Sequence, residues 1–259
     1  MRGLFAMAKS LGCAGVELRT DLEGQPFDGH GPTYADDAAR QTDLKIFALA
    51  EMAAFNRDTA QRLGAATALM DQAVACGARG IALIPDVGDA PVTRAEQRRM
   101  LQTALAVLQP ELNSRDLIGF IEPLGFANAT LRHKDDVVQV LEDMGASACF
   151  ELIHDTFHHC LAGDGTMYAK RTGMVHVSGV AANVPPAAMT DAHRVLVDAD
   201  DRLGSIAQLR ALAADGYRGP LSLESFAPEI HDLTDPEEAL AGSIAFITRQ
   251  LQADAAGAV

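Results

Sequence analysis

The 259-residue chain lacks any run of about 18 apolar residues, so no membrane-spanning helix is expected. Basic residues are few: 21 Lys and Arg stand against 35 Asp and Glu, a formal net charge of −14. Nucleic acid and anionic membrane surfaces need basic faces, so neither is an expected partner. That balance suits a soluble, cytoplasmic enzyme with a small, uncharged substrate. Cysteine is scarce too. Cys13, Cys76, Cys149 and Cys160 form no Cys-x-x-Cys pair, which argues against a disulfide scaffold and for buried thiols in a reducing compartment. No Gly-x-Gly-x-x-Gly follows a strand, and there is no Walker loop and no Gly-x-Ser-x-Gly elbow. Nucleotide binding and serine hydrolysis therefore lack their motifs. The opening stretch Met1 to Met7 has no small-residue cleavage site, so no signal peptide is expected.

What the chain does have is alternation. Apolar runs at 15–19, 44–49, 80–85, 117–122, 148–154, 173–178 and 220–225 read as strands. Helical spacing fits 2–11, 33–41, 57–76, 93–112, 133–144, 203–215 and 236–252, with Gly12, Gly77, Gly145 and Gly216 as stop signals. Near-continuous apolar strands between helices indicate a parallel sheet covered by helices. The length is close to the roughly 250 residues of a (β/α)8 TIM barrel. No repeat or linker interrupts residues 1–259, so a single domain is expected, and the last residues, 253–259, read as frayed. Seven strands are found rather than eight. The chain opens in a helix, so the first strand of a full barrel is missing from it, and an open doubly wound sheet is the alternative.

Four strands end in, or contain near their ends, a residue able to bind a metal. They are Glu122 before Pro123, Asp155 after Cys149–Ile153, His176 in Met174–Val177, and Glu224 after Leu221–Leu223. Charges at the ends of buried strands are costly unless something pairs with them, and a divalent cation would supply that partner. The strand ends of a barrel are also where active sites lie. Each position has a plainer reading. Glu122 could face a loop, His176 could be a core histidine bonded to a carbonyl, and Asp155 could be a helix N-cap, which would leave His158 and His159 on the surface. His154, His158 and His159 fall within six positions, which favours function. Met174, His176 and Ser178 share one strand face. Ser222 and Glu224 share another, opposite Leu221 and Leu223. In the later run 191–198, Arg194 and His193 could reach the site, with a surface salt bridge as the competing view for His193. Asn56 and Arg57 are weaker candidates of the same kind.

These segments resemble the xylose-isomerase-like barrels, a superfamily of sugar isomerases, sugar epimerases and metal-dependent apurinic endonucleases. The resemblance covers nearly the whole chain. It is carried by Gly15–Arg19, Ile121–Phe126, His154–His159, Val175–Val180, Asp191–Asp198, Asp201–Gly204 and Leu223–Phe226. Within the superfamily these segments are similar to the inosose (2-keto-myo-inositol) isomerases of inositol catabolism. The resemblance implies one divalent ion, Mn, Zn, Co or Mg, held by Glu122, Asp155, His176 and Glu224. It implies that His158 touches a substrate oxygen and that Glu122 and Glu224 flank the reacting carbons, with Arg194 added as a substrate contact. The chain departs from the family pattern in its missing first strand, in Asp200 and Ser225, and in having no tryptophan after Phe55–Asn56.

The implied reaction is isomerisation of a polyol ketone by proton transfer through an enediolate. One glutamate removes the α-proton and the other returns it. Alternatives within the fold are a ketose 3-epimerase or another sugar isomerase. A barrel that binds a polyol without turnover is the alternative outside catalysis. The endonucleases need a basic DNA-facing surface, which the net charge opposes. A homo-oligomer is compatible with such a barrel.

Overall fold

The computed structural model describes residues 1–22, 24–146, 148–163 and 165–253. The expectation of a frayed end at 253–259 falls almost wholly outside them. The chain divides into two compact units, Met1–Leu152 and Ile153–Val259.

The first unit alternates helix and strand: α1 (Arg2–Ser10), β1 (Gly15–Arg19), α2 (Thr33–Thr42), β2 (Lys45–Ala53), α3 (Leu63–Cys76), β3 (Gly80–Ile84), α4 (Arg94–Ser114), β4 (Ile118–Ile121) and α5 (Lys134–Met144). It ends inside β5 (Phe150–Asp155). The five strands pair in parallel in chain order, β1 with β2, β2 with β3, β3 with β4 and β4 with β5. The pairing follows from composition. Ile81, Leu83, Phe120 and Ile121 are buried within their strands, as expected where helices cover a parallel sheet. Two glycines let the strands approach. A Cβ on Gly80 would collide with the carbonyl oxygen of its β4 partner Ile118, and one on Gly15 with that of Lys45.

Local signals set the helix ends. Thr93 caps α4 by accepting a hydrogen bond from the Glu96 N–H at 3.3 Å. Gly77 and Gly145 end α3 and α5 with φ of 72° and 63°, a left-handed turn that costs glycine little. Asp136, buried in the first turn of α5, accepts from Arg94 at 2.8 Å and Arg98 at 2.9 Å on α4. At the start of β3, Arg79 donates to both oxygens of Glu151 at 2.6 and 2.7 Å and lies over the Phe120 ring.

The second unit holds the end of β5, then α6 (Thr156–Ala162), β6 (Thr172–Val177), α7 (Ser205–Ala214), β7 (Leu221–Leu223), the short α8 (Pro228–His231) and α9 (Pro236–Ala253). Strands β6 and β7 pair in parallel, His176 opposite Ser222. Val175, Val177, Val197, Leu209, Leu212 and Ile247 form its core. Seven strands are therefore present among the described residues, each at an expected place. No described helix is long and apolar enough to cross a membrane.

Candidate metal centre

In the second unit, three side chains converge from three strand ends. Asp155 is the last residue of β5, His176 the fifth of the six residues of β6, and Glu224 follows β7 directly. Each offers a ligand atom, and these atoms lie within 4.8 Å of one another. His176 Nδ1 is 3.1 Å from Glu224 Oε2. The Glu224 N–H donates to the Val177 carbonyl at 2.9 Å, so the β6–β7 pairing carries the glutamate past the last strand residue.

Asp155 does two jobs at once. It is the N-cap of α6, with Oδ1 accepting from the His158 N–H at 2.8 Å, while Oδ2 is turned to Arg194. The cap and the site residue are thus the same carboxylate. The accompanying expectation of surface histidines does not hold, since His158 and His159 are buried. Burial lowers the His158 pKa. The Asp155 charge opposes that shift and the Arg194 charge adds to it. His158 is therefore a neutral imidazole near pH 7.

Arg194 is the central cation of this unit and only 1 % exposed. Its Nη2 donates to Asp155 Oδ2 and, at 2.8 Å, to Glu224 Oε2. Nη1 donates to Asp191 at 3.2 Å and Nε to Ser178 Oγ at 3.2 Å. These bonds engage four of the five guanidinium N–H groups. The Phe157 and Phe226 rings lie 5.1 and 4.8 Å from the guanidinium carbon. Its backbone is clamped as well. Paired hydrogen bonds between Gly179 and Val195 close the base of its loop, at 2.8 and 2.9 Å, and its carbonyl accepts from Phe226 and Ala227.

The other candidates have settings of their own. Glu122 follows β4 in the first unit, is 3 % exposed, and donates its N–H to the Leu83 carbonyl at 3.2 Å. It is buried, which rules out a loop-facing carboxylate. His154 is a packing residue. Gln208 Nε2 donates to the Thr156 and Leu203 carbonyls, so its Oε1 must accept, and His154 Nε2, 3.0 Å away, carries the proton. The cluster of three histidines is therefore weaker support for function than its spacing implies. His193 accepts the Thr190 N–H at 3.0 Å and caps its own turn. Asn56 is structural: its Oδ1 accepts from the Asp86 N–H at 3.1 Å and the Thr130 hydroxyl at 3.0 Å. Arg57 pairs with Asp86 at 2.6 Å. Ser178, Asp191, Phe157 and Phe226 were not expected around Arg194. Only Ser178 left a signal, lying two residues beyond His176 on one strand face.

The donor set fits a divalent cation. Two carboxylates and one imidazole suit Mn, Mg, Co or Zn alike. The charges agree: one buried guanidinium faces two strand-end carboxylates and cannot neutralise both.

Parallel strands each followed by a helix, with acidic and imidazole groups at the strand ends, are the pattern of a (β/α) barrel that carries its site at those ends. The model of the xylose isomerase-like TIM barrel family matches residues 5–250, and the chain belongs to that family. A solved xylose isomerase domain-containing protein from Salmonella typhimurium LT2 is similar over 95% of this chain and 92% of its own, at 26% identity and a TM-score of 0.88. The IOLI protein with a bound zinc atom shares 18% identity over 96% of this chain and 92% of its own, TM-score 0.80. An L-ribulose 3-epimerase shares 18% identity over 98% of this chain and 89% of its own, TM-score 0.73. No curated protein matches the sequence.

Proposed function

We propose that this chain is a divalent-metal-dependent isomerase of a polyol ketone, with 2-keto-myo-inositol as the leading substrate. The observation that carries this reading is the convergence of Asp155, His176 and Glu224 ligand atoms within 4.8 Å. Glu122, buried at the end of β4, is the proposed fourth ligand. A bound cation would supply Lewis-acid stabilisation of the negative charge that develops on the carbonyl oxygen during α-proton removal.

The side chains divide the remaining work. Glu122 and Glu224 act as the proton-transfer pair: one carboxylate accepts the α-proton, the other enters protonated and delivers its proton to the former carbonyl carbon, the hydroxyl proton passes to the former carbonyl oxygen, and exchange with solvent resets the two acids. Neutral His158 offers a ring nitrogen to a substrate hydroxyl. Arg194 steadies a second substrate oxygen. General acid–base help contributes roughly 10²–10⁴-fold, so the electrostatic share of the cation is required as well. The zinc of the IOLI protein, a structure of the same fold, supports the metal half of this reading. The fold shared with L-ribulose 3-epimerase favours a ketose 3-epimerase as the second reading.

The test joins elemental analysis to turnover. Purified protein is expected to carry about one divalent ion per chain and to exchange the α-proton of scyllo-inosose with D2O. Glu224→Gln and Glu122→Gln should each abolish exchange. A panel of ketoses run alongside separates isomerase from epimerase. A metal-free protein with full activity, or full activity in either variant, overturns the reading.

A further inference from the structure

Arg194 occupies the same carboxylates that would hold the ion. Its Nη2 donates to Asp155 Oδ2 and to Glu224 Oε2, and Glu224 Oε2 is also the oxygen facing His176 Nδ1. The guanidinium is buried between two aromatic rings, and its loop is closed at the base and tied through its carbonyl to the chain after β7. It cannot swing to solvent as a surface arginine does. We infer that Arg194 is a built-in counter-cation that competes with the divalent ion for Asp155 and Glu224, and so sets how tightly that ion is held. This rests on the metal reading above and goes beyond it.

The physics has two parts. Before metal binds, two carboxylates within 4.8 Å would repel, and Arg194 offsets that repulsion by bonding to both. When metal binds, a fixed positive charge beside it weakens its hold, and Nη2 must yield part of its grip on Glu224. The released N–H is then open to a substrate oxygen. Metal would therefore bind before substrate.

Asp191 sets the strength of the competition. It is about half exposed and accepts from Nη1 at 3.2 Å, drawing part of the guanidinium charge away from the ligand pair. Removing its charge should press Arg194 more firmly onto Asp155 and Glu224.

The test is a titration of chelator-stripped protein with Mn²⁺, read by calorimetry and by the free-Mn²⁺ resonance, without any assay of turnover. Arg194→Met should bind at least tenfold more tightly than the parent. Arg194→Lys, which keeps the charge, should stay within about threefold of it. Asp191→Asn should bind several-fold more weakly. The melting temperature of Arg194→Met should rise further on adding Mn²⁺ than that of the parent, because ligand binding to the native state adds stability in proportion to affinity. Equal or weaker binding by Arg194→Met overturns the inference while leaving the metal reading intact. If Arg194→Met does not fold, unchanged or tighter binding by Asp191→Asn overturns it instead. A parent protein that binds no Mn²⁺ at stoichiometric levels overturns both.

Discussion

Asp155 offers the sharpest stability test, because one carboxylate both caps α6 and faces Arg194. Asp155→Ala removes both roles. Asp155→Asn keeps an acceptor that caps a helix about as well as aspartate but removes the charge. The cap is worth about 1 kcal/mol. A hydrogen bond to a charged group contributes about 1.5–3 kcal/mol. Two effects reduce the second figure. Arg194 retains Glu224 and Asp191, so it is not left as a lone buried charge. Removing Asp155 also relieves its repulsion with Glu224, whose ligand atom lies within 4.8 Å. At an effective dielectric of about 20, like charges that far apart repel by roughly 3 kcal/mol, against an attraction of roughly 5 kcal/mol to a guanidinium in contact. The net charge term is then about 2 kcal/mol. We expect Asp155→Ala to cost about 3 kcal/mol and Asp155→Asn about 2 kcal/mol, both taken with the cap value above. Equilibrium urea unfolding in EDTA, followed by circular dichroism, measures both without a metal contribution. An alanine cost below about 1 kcal/mol would refute the ion pair, since the cap alone gives that much. Equal costs for the two variants would refute the cap.

Gly80→Ala should lose several kcal/mol or fail to fold, because the new Cβ meets the Ile118 backbone, which no rotamer change relieves; soluble yield and thermal melting read the effect. Asn56→Ala should cost about 1–3 kcal/mol by stranding the Asp86 N–H, while the Thr130 hydroxyl keeps its bond to the Asp86 carbonyl at 2.8 Å, and limited proteolysis should then cut the chain near 125–131 faster; unchanged cleavage would count against that role. Burial raises the Cys76 and Cys149 thiols, so iodoacetamide should modify both slowly in the native protein. Their rates should climb about tenfold per pH unit below the raised pKa, since only the thiolate reacts. In urea all four cysteines should react alike, and fast native labelling of Cys76 would contradict its burial.

Much of the barrel could be read from the chain because strands buried on both faces write themselves as apolar runs, and helices end on glycine. Strand β1 runs over Gly15–Arg19 as expected, and β3 ends one residue short of its apolar run. Of the three misses, one has a local cause and two a partner distant in sequence. Helical spacing suggests a start near residue 57, yet α3 begins at Leu63, because Arg62 reaches back to the Ala54 carbonyl at 2.7 Å and residues 57–62 form turns. The run 220–225 looks like one strand, but β7 stops at Leu223, where the following N–H groups of Phe226 and Ala227 turn to the Arg194 carbonyl. Strand β2 runs on to Ala53, beyond the apolar run, since β3 supplies partners for Met52 and Ala53.

The site was legible for a different reason, and only in part. A carboxylate at the end of a buried strand needs a positive partner, so Asp155 and Glu224 stand out in the amino-acid pattern alone. What the sequence conceals is that part of that partner is protein. Arg194 lies 39 residues beyond Asp155 and 30 before Glu224, and nothing in the run 191–198 says that its side chain turns inward while its neighbour His193 caps its own turn. A buried acid pair therefore does not by itself require a metal. The deciding quantity is the charge left after internal cations are counted. Here one guanidinium faces Asp155 and Glu224, with Asp191 at its outer edge. The neighbouring His158 stays neutral, held there chiefly by burial. Three carboxylates share that one guanidinium, so a divalent ion would add positive charge beside His176 while an arginine already in place limits how firmly that ion is held.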